Sequence, residues 1–345
     1  MRPQFRIHAN GREITALIND RLLLLRTTDK PGMQSDDFEL RIDARDAVLA
    51  LPARGALIEL HMGYADQSLT RLGRYTVDEV ELSGPPDTLV IRGKASDLRG
   101  TGRSIRSGSW EAQPLQRIVN DIAARNGWQA ACPVLTPVPR IDQLNESDFN
   151  FITRLARQYD CTAKLAEGRL LVLPRQGGQS ASGQPLDVLV IEHSAVSQWH
   201  LRLDDKAARR AVRTRHQDLG SGECKTVELL DEAAAEGQRP VHTDPHLYPS
   251  RAAAEQAARA RLASFNRDTA QLRLVMPGRT DLFAERSIDL QGFVAGVDGQ
   301  YQIDSVEQLF TGSGWTTTVQ ANGGKAGKAN AKGAAHTGQA VIKAR

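Results

Sequence analysis

Gly73–Ala95 reads GRYTVDEVELSGPPDTLVIRGKA, and Gly299–Gly323 reads GQYQIDSVEQLFTGSGWTTTVQANG. Each opens with Gly, a basic or amide residue and Tyr, continues through a β-branched residue, Asp, Val and Glu, and turns through a Gly-containing loop into a second β-rich run. Tyr75 and Val77 alternate on one strand face, but the next apolar residue is Val80, an odd step. The second copy makes the same step, from Tyr301 and Ile303 to Val306. An extra residue in an alternating strand reads as a β-bulge. A register break shared by two distant segments points to a duplicated hairpin.

The flanking sequence supports duplication. Phe38, Leu40 and Ile42 alternate in one run, and Ile58, Leu60 and Met62 in the next. Leu272, Leu274 and Met276, followed by Ile288 and Leu290, repeat the arrangement near the other end. Period-two patterning predicts half-buried strands. Asp78 and Asp304 fall at equivalent places. Residues that recur in both copies are read as fold-making, since an enzyme needs one site.

The centre has a different period. Pro114 suits the first turn of a helix whose stripe is Leu115, Ile118, Val119 and Ile122, with Gly127 as its left-handed stop. After the Pro-rich connection CPVLTPVP, a second helix starts at Asn145 or Ser147 and carries Phe149, Ile152, Leu155, Ala156 and Tyr159. A hairpin turning at Glu167-Gly168 completes an α+β module. A further Ala-rich helix is capped by Pro249-Ser250 and ends near Leu262 and Phe265.

These readings predict an α+β, β-rich chain: a first β domain over 1–100, a middle module over 101–175, a linker over 176–185, a second β domain over 186–323, and a basic tail over 324–345. The tail holds Lys325, Lys328, Lys332, Lys343 and Arg345 and no acidic residue. Its composition cannot bury enough apolar surface to fold alone.

Of the 345 residues, 44 are Lys or Arg and 41 are Asp or Glu, so the net charge of +3 argues against an electrostatic grip on nucleic acid. No apolar run approaches the roughly 18 residues of a membrane-spanning helix, and the first residues lack an export-signal core. Cys132, Cys161 and Cys224 are sparse and show no CxxC spacing, so no disulfide framework is expected. His242 and His246 stand four apart, but Pro245 between them argues against a helix that would aim both at one metal. Glu192, His193 and His200 form a weaker cluster, and the Gly102–Gly108 run reads as a connection rather than a phosphate loop. Nucleophile-elbow and Walker A patterns are absent. No catalytic residue, cofactor or metal is expected.

Several spaced segments, in order, resemble the phage late control gene D protein family: DKPGMQSDDFELRID, SGSWEAQPLQRIVNDIAARNGW, NESDFNFITRLARQYDCTAKLAEGRLLVLP and SRAAAEQAARARLASFNRD before GQYQIDSVEQ. The resemblance implies a baseplate hub of a contractile tail, in a phage, a prophage or a phage-tail-like bacteriocin. It implies two domains shaped like tail-tube β-barrels flanking the middle module. It further implies a homotrimer whose six β domains adapt a six-fold tube to a trimeric spike, located in the baseplate and assembled in the bacterial cytoplasm. Implied partners are the spike, the tube or tube-initiator protein, other baseplate proteins and a tape measure protein, with no stable membrane insertion. The oligosaccharide-binding-like domain and β-helical repeats of fused type VI spikes do not follow the second β unit, so a separate spike protein is expected. The alternatives are the hub of a type VI-like secretion apparatus, a peptidoglycan hydrolase with a carboxylate pair, or a transcription regulator.

Overall fold

In the computed structural model, the described residues are 2–33, 35–45, 51–95, 101–166, 168–175, 186–204, 206, 208–218, 220–231 and 240–328. The first unit comprises β1 (Pro3–Ala9), β2 (Arg12–Glu13), helix α1 (Thr15–Ile18), β3 (Leu22–Asp29), β4 (Asp37–Asp43), β5 (Leu57–Tyr64), β6 (Thr70–Ser83) and β7 (Thr88–Ala95). Its strands run in the order β3-β4-β7-β6-β5-β1-β2. The alternating residues Phe38, Leu40 and Ile42 of β4 and Ile58, Leu60 and Met62 of β5 turn into one core with Ile7, Leu25 and Val77. Tyr75 packs its ring 5.2 Å from that of Phe38.

The middle begins with β8 (Ile105–Pro114), followed by α2 (Leu115–Arg125), β9 (Gln129–Ala131), β10 (Pro137–Ser147), α3 (Asp148–Gln158), β11 (Cys161–Ala166) and β12 (Arg169–Pro174). Leu115, Ile118, Val119 and Ile122 share a core with Ile152, Leu155, Tyr159, Leu170 and Val172. Pro114 is the N-cap of α2 rather than its first helical residue. Ser147 caps α3, its hydroxyl accepting from the Asn150 N–H at 3.2 Å. Phe151 is fully buried, whereas Phe149 only packs against the core edge, beside Trp128. The Asp148 side chain is fully buried; it accepts from Asn126 Nδ2 at 2.7 Å, from Gln143 Nε2 at 2.9 Å and from the Arg125 guanidinium. Burial of a carboxylate at this depth requires such a complete donor set.

Three strands here escaped the sequence reading, β8, β9 and β10. β8 and β10 pair antiparallel as a separate two-stranded ribbon. Pro137 and Pro139 of β10 read as a loop, but each ribbon strand has an outward edge on which a missing N–H costs no ladder bond.

The second unit comprises β13 (Leu189–Glu192), β14 (Gln198–Leu203), β15 (Ala211–Gln217), β16 (Cys224–Leu230), β17 (Val241–Tyr248), α4 (Arg251–Arg267), β18 (Ala270–Pro277), β19 (Ser287–Gln291), β20 (Gly299–Thr311) and β21 (Gly314–Asn322). β15, β16 and β17 form their own three-stranded sheet, against which α4 packs through Ala258 and Leu262. The remaining strands run β14-β18-β21-β20, with β19 pairing β20 and β13 pairing β19.

Both expected bulges are present. The β6–β7 register breaks between Val77 and Glu79, and the β20–β21 register breaks between Ile303 and Ser305. The extra residues are Asp78 and Asp304. Before the bulge, β6 pairs β5 and β20 pairs β19. Beyond its bulge, β20 pairs β3 of the first unit.

That pairing revises the expected architecture. The β-rich α+β class holds, but no barrel closes among the described residues; the two units are joined in one thirteen-stranded sheet. β20 has 13 residues, and its far half, Val306–Thr311, pairs β21 on one edge and β3 on the other.

Leu155 is fully buried between α3 and the module's strands. Leu155→Ala removes packing that the surroundings cannot refill, with an expected cost of about 2–5 kcal/mol. Urea denaturation monitored by circular dichroism checks this; an unchanged midpoint is inconsistent with the packing described.

Candidate assembly interface

Six residue pairs form the seam between the units, from Val306 opposite Asp29 to Thr311 opposite Leu24. Leu25, Thr27, Val306 and Gln308 are all buried there. Phe310 sets its ring edge-on to Phe5 of the first unit, centroids 5.1 Å apart. Trp315, from β21, enters the first unit's core beside Tyr64. Gly278 permits this, since a Cβ at that position would lie 1.9 Å from the indole. Buried polar atoms at the seam are paired. Gln308 Oε1 accepts from Trp315 Nε1 at 2.9 Å and from Thr317 Oγ1 at 2.6 Å, while Gln308 Nε2 donates to the Arg279 carbonyl at 2.7 Å.

At one end of the seam three parts of the chain meet on one carboxylate. Asp29 accepts from Lys164 Nζ of β11 at 2.7 Å and from the backbone N–H of Ala284 at 2.7 Å. Lys164 also lies 3.2 Å from Asp36. Burial pushes the Asp36 carboxyl up to about 6, against the pull of Lys164. Burial works against the Lys164 ammonium, yet Asp29 and Asp36 together hold its pKa above the ordinary value. A second buried ion pair, Arg267 of α4 to Asp160 after α3 at 2.7 Å, ties the middle module to the second unit.

Several sheet edges have no strand partner among the described residues, and two of them belong to the duplicated strand sets. One is the outer edge of β14, the last strand of the sheet. The other is β6 beyond its bulge, which pairs β7 on one side only. Both carry exposed apolar side chains: Leu82 is 59% exposed, Leu203 45% and Trp199 37%. Unpaired N–H and C=O groups beside apolar side chains are a template for another strand.

The residues singled out in the sequence are otherwise dispersed. His242 and His246 lie on β17, His242 against Phe265 and His246 against Tyr248, so their rings serve different contacts. His193 and Trp199 both pack edge-on to Phe293. Gly102 sits beneath Trp128 and Phe149, and Gly108 lies within β8. Cys132 and Cys161 are buried free thiols, and Cys224 is exposed.

One cluster went unforeseen. His8, Glu59 and His61 bring ligand atoms within 4.8 Å of one another, a grouping able to hold a metal ion. It forms across β1 and β5, where His8 stands opposite Glu59, so no sequence spacing announces it. Glu59 is already shared, lying 3.4 Å from His61 Nε2 and accepting from Arg74 at 3.3 Å.

Of the basic tail, Gly324–Lys328 is described and lies on the second unit. The Lys325 carbonyl accepts from Asn266 Nδ2 at 3.2 Å, and Lys328 Nζ stands 4.3 Å from the centre of the Tyr301 ring. Lys332, Lys343 and Arg345, like the expected linker over 176–185, lie outside the described residues.

Open sheet edges carrying apolar side chains suit an assembly component. Residues 33–314 match the family described as phage tail baseplate hub (GPD). The chain is 30% identical over 358 residues to the "Probable baseplate hub protein" of Escherichia phage 186, covering 92% of both chains. Identity and coverage are the same for the protein of that description from Escherichia phage P2. The fold is similar to the 43 kDa tail protein of prophage MuSo2 from Shewanella oneidensis, with a TM-score of 0.71 at 15% identity, over 92% of this chain and 98% of that one. The chain belongs to the phage tail baseplate hub family, and it is a hub component of a contractile-tail baseplate.

The Asp36 junction has a measurable pH signature. Its folded pKa lies above the ordinary 3.8, so the native state binds the proton more tightly than the unfolded chain. Its contribution therefore falls as pH rises from 3.8 to about 6. Asp36→Asn, neutral throughout, is expected to gain in melting temperature relative to the wild type across that window. A difference that is flat or declines with pH contradicts the assignment.

Proposed function

We propose that the chain works as a closed homotrimer, six β units in a ring, that adapts a six-fold tail tube to a trimeric spike. The observation that carries this reading is the seam. One β unit already adds to the next edge to edge within the chain, and one edge at each end of the pair stays open. A chain with two different complementary edges associates head to tail, and a rotation that closes gives a ring without free edges. The number three and the identities of spike, tube, tape measure and neighbouring baseplate proteins follow from the resemblance to hub proteins. So do the shapes of the two tube-like domains, about 1–100 and 186–323, around the module at 101–175. The role is mechanical, with no catalytic step, cofactor or metal required.

The purified chain is expected to sediment at three times its 37.7 kDa mass and to co-purify with a trimeric spike protein produced with it. The His242→Ala, His246→Ala double variant is expected to assemble normally. A chain that stays monomeric at every concentration, with and without the spike, contradicts the ring.

A further inference from the structure

The two units are equivalent strand by strand. β3-β4-β7-β6 of the first corresponds to β14-β18-β21-β20 of the second. The paired registers fix the equivalence by residue. Val77 faces Gly93 before one bulge, and Ile303 faces Ala321 before the other. Val80, Glu81 and Leu82 therefore match Val306, Glu307 and Gln308. On the other side, Thr27 faces Phe38, and Leu201 faces Leu272, the residue matching Phe38. Thr27, Thr28 and Asp29 therefore match Leu201, Arg202 and Leu203.

Within the chain, Val306 pairs with Asp29, Glu307 with Thr28 and Gln308 with Thr27. We propose that this register is repeated between copies: β14 of one chain adds antiparallel to β6 of the next. Leu203 then stands opposite Val80, Arg202 opposite Glu81 and Leu201 opposite Leu82. The proposal rests on the closed-ring reading above and specifies its contact.

Exposure supports it. Gln308 and Thr27 are 4% and 3% exposed at the seam, while Leu82, the match of Gln308, is 59% exposed at the open edge. Leu25 is fully buried, while Trp199, its match, is 37% exposed. Positions covered in one copy of the seam thus carry apolar side chains that nothing covers in the other. Alternation agrees as well. Val80 and Leu82 meet Leu203 and Leu201 on one face, while Glu81 meets Arg202 on the opposite face. A slip of one residue in either direction sets apolar against charged or polar side chains. A slip of two keeps the alternation, and the register of the existing seam selects against it.

Charge supplies a third argument. Across β3, β4, β7 and β6 runs a ladder in which Glu39 accepts from Arg26 at 2.8 Å and from Arg92 at 3.3 Å, and Arg92 donates to Glu79 at 2.9 Å and to Glu81 at 3.0 Å. The ladder ends in two carboxylates at the open edge of β6. Arg202, now only 3.5 Å from Asp204 of its own chain, continues the alternation of sign from the incoming strand.

Cysteine trapping tests the register in the full chain carrying Cys224→Ser, since Cys132 and Cys161 are buried. Opposed positions have Cβ atoms about 4.5–5.5 Å apart, near enough for a disulfide after slight adjustment. Val80→Cys with Leu203→Cys is expected to give covalent dimers and trimers on oxidation, and nothing larger. Val80→Cys with Leu201→Cys is expected to give about tenfold less, because diagonal neighbours are farther apart, at about 7–8 Å. Independently, Glu81→Arg and Arg202→Glu each place like charges in contact. Each is expected to raise the trimer's dissociation midpoint several-fold at low salt, and the double reversal to restore it. A wild-type trimer that neither cross-links at this pair nor shows charge complementation overturns the register and leaves the ring reading standing. Preferential trapping at Leu201 overturns it too, by showing a two-residue shift. A wild type that never trimerises ends both.

Discussion

The structure depends on one extra residue in each long strand. A regular strand of 13 or 14 residues keeps one face toward one layer throughout. Inserting Asp304 reverses the alternation and increases the local twist. One edge of the strand stays with β21 throughout, while the other passes from β19 of its own unit to β3 of the first unit. Without that break, Val306 and Gln308 would point away from the side on which Trp315 and Thr27 wait. The same residue type at Asp78 performs the same turn in the first unit. Asp304 binds Asn322 at 2.6 Å across the bulge, and Asp78 stays in solvent, so the shared feature is the insertion itself rather than a shared side-chain bond.

Charged groups hold the middle module against this sheet. Asp29 and Lys164 join β3 to β11, and Arg267 and Asp160 join α4 to the end of α3. Buried ion pairs repay their desolvation only in part, and an apolar contact of similar size stabilises as much. Their use here suits an orientation rather than an affinity. Asp29 accepts from both Lys164 and the Ala284 amide, so one carboxylate correlates the positions of three chain segments that have separate apolar cores.

Much of this was legible in the sequence, for physical reasons that differ by element. The helices α2 and α3 announced themselves because a period of 3.6 residues is visible in any window of three turns. The duplicated bulge was visible because it breaks a period of two. Phe151 was missed because Phe149, two residues away, competed for the same stripe and the fuller burial went to the residue facing Trp110. β8 was missed because its exposed side chains show no alternation, and β17 because Pro245 breaks its pattern. There the ladder skips from Thr243 to Leu247 opposite Arg213 and Arg215. The Asp148 network and the His8, Glu59 and His61 cluster were invisible because their members meet only after folding, across strands or between helix ends. The seam was hidden for the same reason: β3 and β20 lie at opposite ends of the chain.

Duplication also bears on how such a ring holds together. Every seam between separate molecules must offset lost translational and rotational freedom before any contact shows as affinity. A seam built within one chain carries no such cost, because the second unit is already tethered near the first. In the proposed ring, joining units in pairs leaves only three of six seams to form between molecules. The covalent seams can then be made of ordinary core, as with Leu25, Val306 and Trp315, folded before assembly starts. The intermolecular seams must instead be tolerable in a free chain. That explains why the open edges mix apolar residues with Glu79, Glu81 and Arg202 rather than presenting a continuous apolar strip, since charges on an exposed edge discourage indiscriminate pairing. Two chemically different versions of one seam, one buried early and one charged until closure, also make successive units inequivalent. In the proposed ring that inequivalence leaves three-fold rather than six-fold symmetry, as docking onto the proposed trimeric spike would require.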